Sequence, residues 1–369
     1  MSRIAAIAPF GQSIWLDYIR RDLMASGALA EMIEKDAIKG LTSNPAIFEK
    51  AIAGSSLYDA ALQAEVAKGE RDPARLCERL AIADIQAAAD VFAGVYRQSG
   101  CRDGFVSLEV APELAYQPEA TLEQARRLWK EVARPNLMIK VPGTAEAAGV
   151  IRSLIAEGIN VNITLLFSRA AYAAVANAYL EGLEQRMRRG GSLVAVASVA
   201  SFFVSRIDAA VEPGLRAAGG AGAALQAQVA IANARLAYQD YLKLVASPRW
   251  QKLAAHGAQP QRLLWASTGT KSASLKDTLY VEALIGPATV NTVPPATLDA
   301  FRDHGEAARS IDTGVADAEA VMAALPAAGI ALDGITDQLV VDGVQLFIDA
   351  QQKLLAAVAA KRDALLKAA

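Results

Sequence analysis

Eight short apolar stretches, each followed by a turn and then a helical pattern, constrain this chain more than any other feature. They are Ser13–Ile19, Gly40–Ser43, Phe105–Val110, Leu137–Val141, Val161–Phe167, Leu193–Ser198, Arg262–Ser267 and Thr289–Val293. Runs of this length, often β-branched, suit strands buried on both faces of a parallel sheet. The stretches Pro73–Gln98, Pro118–Ala133, Ala145–Glu157 and Ser168–Arg188 carry helical patterns between them. Strands alternating with helices imply a parallel sheet covered by helices. Eight such units in 369 residues predict an α/β fold of one kind, a single (β/α)8 TIM barrel.

No Pro/Ser/Gly-rich linker divides the chain, so residues 1–369 read as one barrel domain. Residues 209–261 are long for one crossover and predict extra helices, with Gly214–Gly222 as a loop between them. The stretch 333–367 is amphipathic, with Val340, Val344, Phe347, Gln351, Leu354 and Val358 at helical spacing. It predicts a terminal helix docked on the barrel through core packing.

Composition removes several function classes. The net charge of −2 gives no electrostatic reason to expect nucleic acid or an anionic membrane. The longest apolar stretch, Leu193–Val204, falls short of the roughly 20 residues that span a bilayer. An N-terminus broken by Pro9 does not read as a signal peptide. Two cysteines, Cys77 and Cys101, lie outside any metal-ligand spacing and fit a reduced cytoplasmic protein. With His256 and His304 as the only histidines, neither a zinc enzyme nor a Ser-His-Asp hydrolase is expected. Neither G-x-G-x-x-G nor G-x-x-x-x-G-K-[ST] occurs.

Lys140 stands out among the strand residues. It sits inside Leu137-Met-Ile-Lys-Val141, directly before Pro142 and Gly143. Burying an ammonium costs several kcal/mol unless it is paired or neutral. Such a lysine either snorkels to water along its apolar stem or is a desolvated amine able to form Schiff bases with carbonyls. The segment alone leaves both open. In a (β/α)8 enzyme, reacting groups project from the C-terminal ends of strands. Polar residues near those ends are Asp17, Asn44, Glu109, Lys140, Asn162 with Thr164, Ser201 with Arg206, and Lys271. Singly, each carboxylate reads first as a structural acceptor for backbone or hydroxyl donors rather than as a catalyst. Polar groups on nearly every strand, aimed at one mouth, make a site.

These segments resemble transaldolase, in particular its longer bacterial form. The matching stretches include Ser13-Ile-Trp-Leu-Asp-Tyr-Ile-Arg20, Gly40-Leu-Thr-Ser-Asn-Pro-Ala-Ile-Phe48, Val106-Ser-Leu-Glu-Val110 and Met138-Ile-Lys-Val-Pro-Gly-Thr144. Further matches are Asn160-Val-Asn-Ile-Thr-Leu-Leu-Phe-Ser168, the span 198–208, Trp265-Ala-Ser-Thr-Gly-Thr-Lys271 and Asp277-Thr-Leu-Tyr280. The resemblance runs over essentially the whole chain.

It implies a Schiff-base aldol transfer of a dihydroxyacetone unit between sugar phosphates, without metal or organic cofactor. On that implication Lys140 is the nucleophile, Asp17 the acid–base group at the C4 hydroxyl, and Glu109 with Thr164 the holders of a proton-shuttling water. Asn44 and Asn162 would bind the dihydroxyacetone hydroxyls, with turn or cap formation the alternative for Asn44. Ser201, Phe203, Arg206 and Lys271 form the substrate segment, Arg206 gripping phosphate and Lys276 standing as the alternative to Lys271. The competing use of Arg206 is an ion pair with Asp208 or Glu212. A related aldolase that releases the three-carbon unit and a non-catalytic sugar-phosphate-binding barrel are the rival readings. Glu109 argues against the first, since fructose-6-phosphate aldolases carry glutamine at the equivalent place. The intact set of Lys140, Asp17, Glu109 and Thr164 argues against the second. Monomer and homodimer are both compatible with the sequence.

Overall fold

A computed structural model describes residues 2–368. Eight strands close into a barrel in sequence order: β1 (Gln12–Asp17), β2 (Gly40–Thr42), β3 (Phe105–Glu109), β4 (Leu137–Pro142), β5 (Val161–Leu166), β6 (Ser198–Phe203), β7 (Arg262–Ala266) and β8 (Thr289–Val293). All pairings are parallel, and β8 returns to β1. The predicted α/β barrel is the observed one.

Register decides what shares a level inside the barrel. Glu109 pairs with Lys140, and Lys140 with Asn162. Paired residues in parallel strands point to the same face. On β1, Ser13, Trp15 and Asp17 therefore stack from the floor to the mouth of the interior. The Trp15 ring is fully buried and lies beside Gly40, where any Cβ would come within 2.6 Å of the indole. Gly40 is the space that a tryptophan-filled barrel requires.

The sixth strand differs from expectation. Leu193 and Val196 lie in the turn before the barrel, buried but unpaired in the sheet, and the strand is Ser198–Phe203. Hydrophobicity favoured the earlier run, but its serines do not disqualify the later one. The Ser198 hydroxyl donates to Val161 O at 2.8 Å, and that of Ser201 to Asn162 Oδ1 at 2.6 Å. Small hydroxyls satisfied by neighbouring strands are cheap to bury.

The 209–261 region carries the helices Ser205–Ala217, Gly220–Ala223, Val229–Ala246 and Pro248–Ala254. Gly214, expected in a loop, is inside the first of these helices. A Cβ there would fall 2.5 Å from Ile330 Cδ1, so close packing accounts for this glycine. The terminal helix spans Leu332–Ala368. Its Val344, Phe347, Leu354 and Val358 are buried, and it crosses the strand C-terminal side, touching Pro45–Phe48, Pro73–Gln98, Ser205–Ala217 and β5. No single helix among the described residues is long and apolar enough to cross a membrane.

Candidate active site

At the C-terminal ends of the strands the barrel opens into a cavity of about 740 Å³, mouth included. Asp17, Asn44, Lys140, Thr164, Ser201, Phe203, Arg206 and Lys271 line it. Eight residues chosen from the sequence thus meet on one surface. Thr42, Ser267, Gly269, Thr292 and Phe347 complete much of the wall.

Lys140 is 5% exposed, and its ammonium donates to the carbonyl of Ser43 at 2.9 Å. Glu109 Oε2 lies 3.2 Å away, an ion-pair distance, yet neither Glu109 oxygen accepts an aligned hydrogen bond among the described residues. Burial raises the Glu109 carboxyl above its usual range, against the pull of Lys140. Asp17 is raised in the same way, again by burial first, with Lys140, Thr42 and Lys271 opposing. Its Oδ1 accepts from Thr42 Oγ1 at 2.7 Å, and Thr42 in turn meets Thr292 Oγ1 at 2.5 Å. One amine therefore faces a buried carboxyl, Glu109, and a partly buried one, Asp17, and desolvation pushes both upward, the direction that acid–base work needs.

Thr164 Oγ1 is buried and has no partner among the described residues. Buried polar atoms in native proteins are nearly always satisfied, and unpaired ones mark where water or a ligand binds. Glu109 itself is not part of the cavity wall; it sits behind the amine. Asn162 is also off the wall, fully buried, with its amide donating to Ser107 Oγ at 3.1 Å and its oxygen accepting from Ser201. Asn44 does two things at once. It lines the cavity, and its Oδ1 accepts from Ile47 N at 2.9 Å to cap the helix Pro45–Phe48.

Arg206 has neither of the carboxylate partners that sequence offered. Asp208 accepts instead from Ala230 N and Tyr280 Oη, while Glu212 pairs with Arg216. The Arg206 guanidinium lies 5.3 Å from the centre of the Phe203 ring, and among the described residues it forms no ion pair. Lys271 shares its cavity and is pushed down by burial and then by Arg206. Lys276, the alternative to Lys271, is held at 2.8 Å by both oxygens of Glu282 and is not on the wall. Two unneutralised cations at one end of a cavity suit a dianion such as a phosphate ester.

Two of the seven non-glycine residues with positive φ among the described residues lie at this mouth. Leu165 (φ +61°) and Ser267 (φ +56°) are non-glycine residues in the left-handed region, each costing on the order of 1–3 kcal/mol. Leu165 falls in a register irregularity between β5 and β6. Sequence reasoning missed Thr42, Thr292 and Phe347. Thr42 and Thr292 are strand-end residues, so the strand-end rule could have found them. Phe347 lies on a remote helix and carried no such signal.

The comparisons with known proteins agree with this geometry. Residues 14–358 match the family model described as Transaldolase/Fructose-6-phosphate aldolase. The chain is 46% identical over 373 residues to Transaldolase 2 of Nostoc punctiforme, covering 96% of each chain. It is 47% identical over 358 residues to the transaldolase of Frankia alni, again with 96% of each covered. The transaldolase of Thiobacillus denitrificans is 46% identical over 353 residues, with 95% of this chain and 98% of that one covered. A closed eight-stranded parallel barrel, a polar mouth around a buried lysine and these likenesses make the chain a member of the transaldolase/fructose-6-phosphate aldolase family of enzymes.

Proposed function

We propose that this enzyme transfers a dihydroxyacetone unit from a ketose phosphate, sedoheptulose 7-phosphate or fructose 6-phosphate, to an aldose phosphate, glyceraldehyde 3-phosphate or erythrose 4-phosphate. The observation that carries this reading is the Lys140 amine, buried between Ser43 O and Glu109 in a cavity whose far end holds Arg206 and Lys271. The unprotonated amine attacks the donor ketone at C2, water leaves, and an iminium joins Lys140 to the sugar. Asp17 takes the C4 hydroxyl proton as the C3–C4 bond breaks, which frees an aldose phosphate and leaves an enamine. The enamine carbon then attacks the acceptor aldehyde, and Asp17 returns the proton to the new alkoxide. Glu109, paired with Lys140 but without an aligned hydrogen bond, and Thr164, whose Oγ1 has no partner among the described residues, hold the water that carries protons while the carbinolamine forms and collapses.

Arg206 and Lys271 grip the phosphate, so remote binding energy orients the reacting carbonyl. Ser201 and Asn44 face the three-carbon unit from the wall, Asn162 holds Ser201 from behind, and Phe203 supports the guanidinium. On this reading the enzyme acts in the cytoplasm, in the non-oxidative pentose phosphate pathway. Release of free dihydroxyacetone, as a fructose-6-phosphate aldolase would do, is the second reading. It is favoured only by the shared family description, since the relatives above are named transaldolase.

The test is to incubate the protein with fructose 6-phosphate, reduce with borohydride and map the added mass. The expected result is a dihydroxyacetone-sized adduct on Lys140, absent from Lys140→Met. A folded protein that gives no adduct would end the Schiff-base reading.

A further inference from the structure

The terminal helix Leu332–Ala368 is not merely packed on the barrel. Gly343, Phe347, Gln351 and Leu354 recur at spacings of four, four and three and share one face. Gly343 sits against the strained Leu165, where a Cβ would be 2.8 Å from Leu165 Cδ2 and 3.5 Å from an Arg206 terminal nitrogen. One turn later Phe347, 5% exposed, forms part of the wall of the lysine cavity. Gln351 and Leu354 then roof an adjoining cavity that also touches Ser43, Asn44 and Glu109. The absence of a side chain at Gly343 is what lets the helix come this close.

A phenyl ring offers sugar hydroxyls and phosphate no conventional hydrogen bond. Its contribution to a polar cavity is exclusion of water and a lower local dielectric. The other large apolar side chain on the wall, Phe203, is engaged with Arg206. This matters at one moment in the reaction proposed above, on which the inference rests. Once the aldose phosphate leaves, a three-carbon enamine remains on Lys140 in a cavity built for a whole sugar. Two fates compete. In one, the enamine carbon bonds to an acceptor aldehyde. In the other, the carbon takes a proton to give the iminium and water adds at C2. The C2–N bond then breaks, restoring the lysine amine and releasing dihydroxyacetone, and the water consumed balances the one lost when the iminium first formed.

We propose that Phe347, held down by the Gly343–Leu165 contact, is the residue that keeps bulk water, beyond the one molecule held by Glu109 and Thr164, from the lysine-bound unit and so sets the ratio of transfer to release. It is a specificity-determining residue supplied by the terminal helix, outside the strand-end set.

The experiment measures dihydroxyacetone release from fructose 6-phosphate without acceptor, and transfer when erythrose 4-phosphate is present, in the full-length protein. Adduct mapping on the unaltered protein comes first. If no adduct forms on Lys140, the Schiff-base reading itself fails, before any variant is compared. With the adduct present, Phe347→Ala should retain it and raise release relative to transfer by about tenfold, while Phe347→Leu stays near the parent ratio. Gly343→Ala, which lifts the helix without removing the ring, should shift the ratio the same way by a smaller factor, and it stands in if Phe347→Ala does not fold. A ratio within about twofold of the parent in both Phe347→Ala and Gly343→Ala overturns the proposal. So does a parallel fall of release and transfer, because a purely structural role lowers both together.

Discussion

The two ends of this barrel are built on opposite terms. At the N-terminal end charges and donors are mutually satisfied. Arg262 donates to Asp103 Oδ1 at 2.9 Å, to Ser13 Oγ at 2.9 Å and to Arg102 O at 2.6 Å. Asp103 also accepts from Ser13 Oγ at 2.8 Å and from Trp15 Nε1 at 3.2 Å. The amide oxygens of Gln12 and Gln261 are left over, neutral groups that cost less than an unpaired charge. At the C-terminal end the accounting is left open. Among the described residues Thr164 Oγ1 has no hydrogen-bond partner, Glu109 has only its contact with Lys140, and Arg206 pairs with no carboxylate. The difference teaches where this fold spends stability. The floor closes the barrel, and the mouth forgoes satisfaction so that a substrate can supply it.

Substitutions can break this contrast, and the largest effect on the reaction is expected at the amine. Lys140→Met should lower turnover by at least about 10⁴-fold and abolish the borohydride-trapped adduct, with circular dichroism unchanged. Retained turnover would remove the lysine from the chemistry.

Asp17→Asn should reduce kcat by about 10²–10⁴-fold, as for loss of a general acid–base group. It also tests the open mouth as a stability cost. A carboxyl whose folded pKa is raised binds more protons in the native state than in the unfolded one. Its contribution to stability therefore falls as pH rises from the unfolded carboxyl value through the raised native one. The variant should be more stable than the parent at pH 7, by on the order of 1 kcal/mol, with the gap closing toward pH 4. Thermal melts at the two pH values measure it, and a variant less stable at pH 7 would contradict the assigned cost.

Arg206→Ala should cut kcat/KM for fructose 6-phosphate by about 10²-fold, with inorganic phosphate losing its competitive inhibition in parallel. Lys276→Ala, tied to Glu282 outside the cavity, should change neither. The smallest effect on the reaction is expected from Asp103→Ala at the floor. Leaving Arg262 half-buried and unpaired should destabilise by about 3 kcal/mol, yet kcat and KM of the folded fraction should hold. A selective loss of kcat in that variant would show that the two ends are not independent.

Much of this was legible beforehand. Lys140, Asp17 and Thr164 could be placed at strand ends because apolar runs bounded by turn residues mark strands, and strand ends mark the mouth. Strand six was misplaced because hydrophobicity does not encode which run pairs, and its serines find their acceptors only across the sheet. The choice between Lys271 and Lys276 needed the position of Glu282, which claims Lys276. Likewise, an ion pair for Arg206 with Asp208 was plausible until Tyr280 and Ala230 took that carboxylate.

By itself the sequence determined the barrel, most of the polar groups at its mouth and the family, because periodicity and local motifs are properties of neighbouring residues. Only the tertiary structure decided which of those groups are paired and which are left unsatisfied. It alone brought Phe347 over the cavity through a glycine seated on Leu165. Pairing and roofing are contacts between residues far apart in the chain, and a linear pattern carries no distance between them.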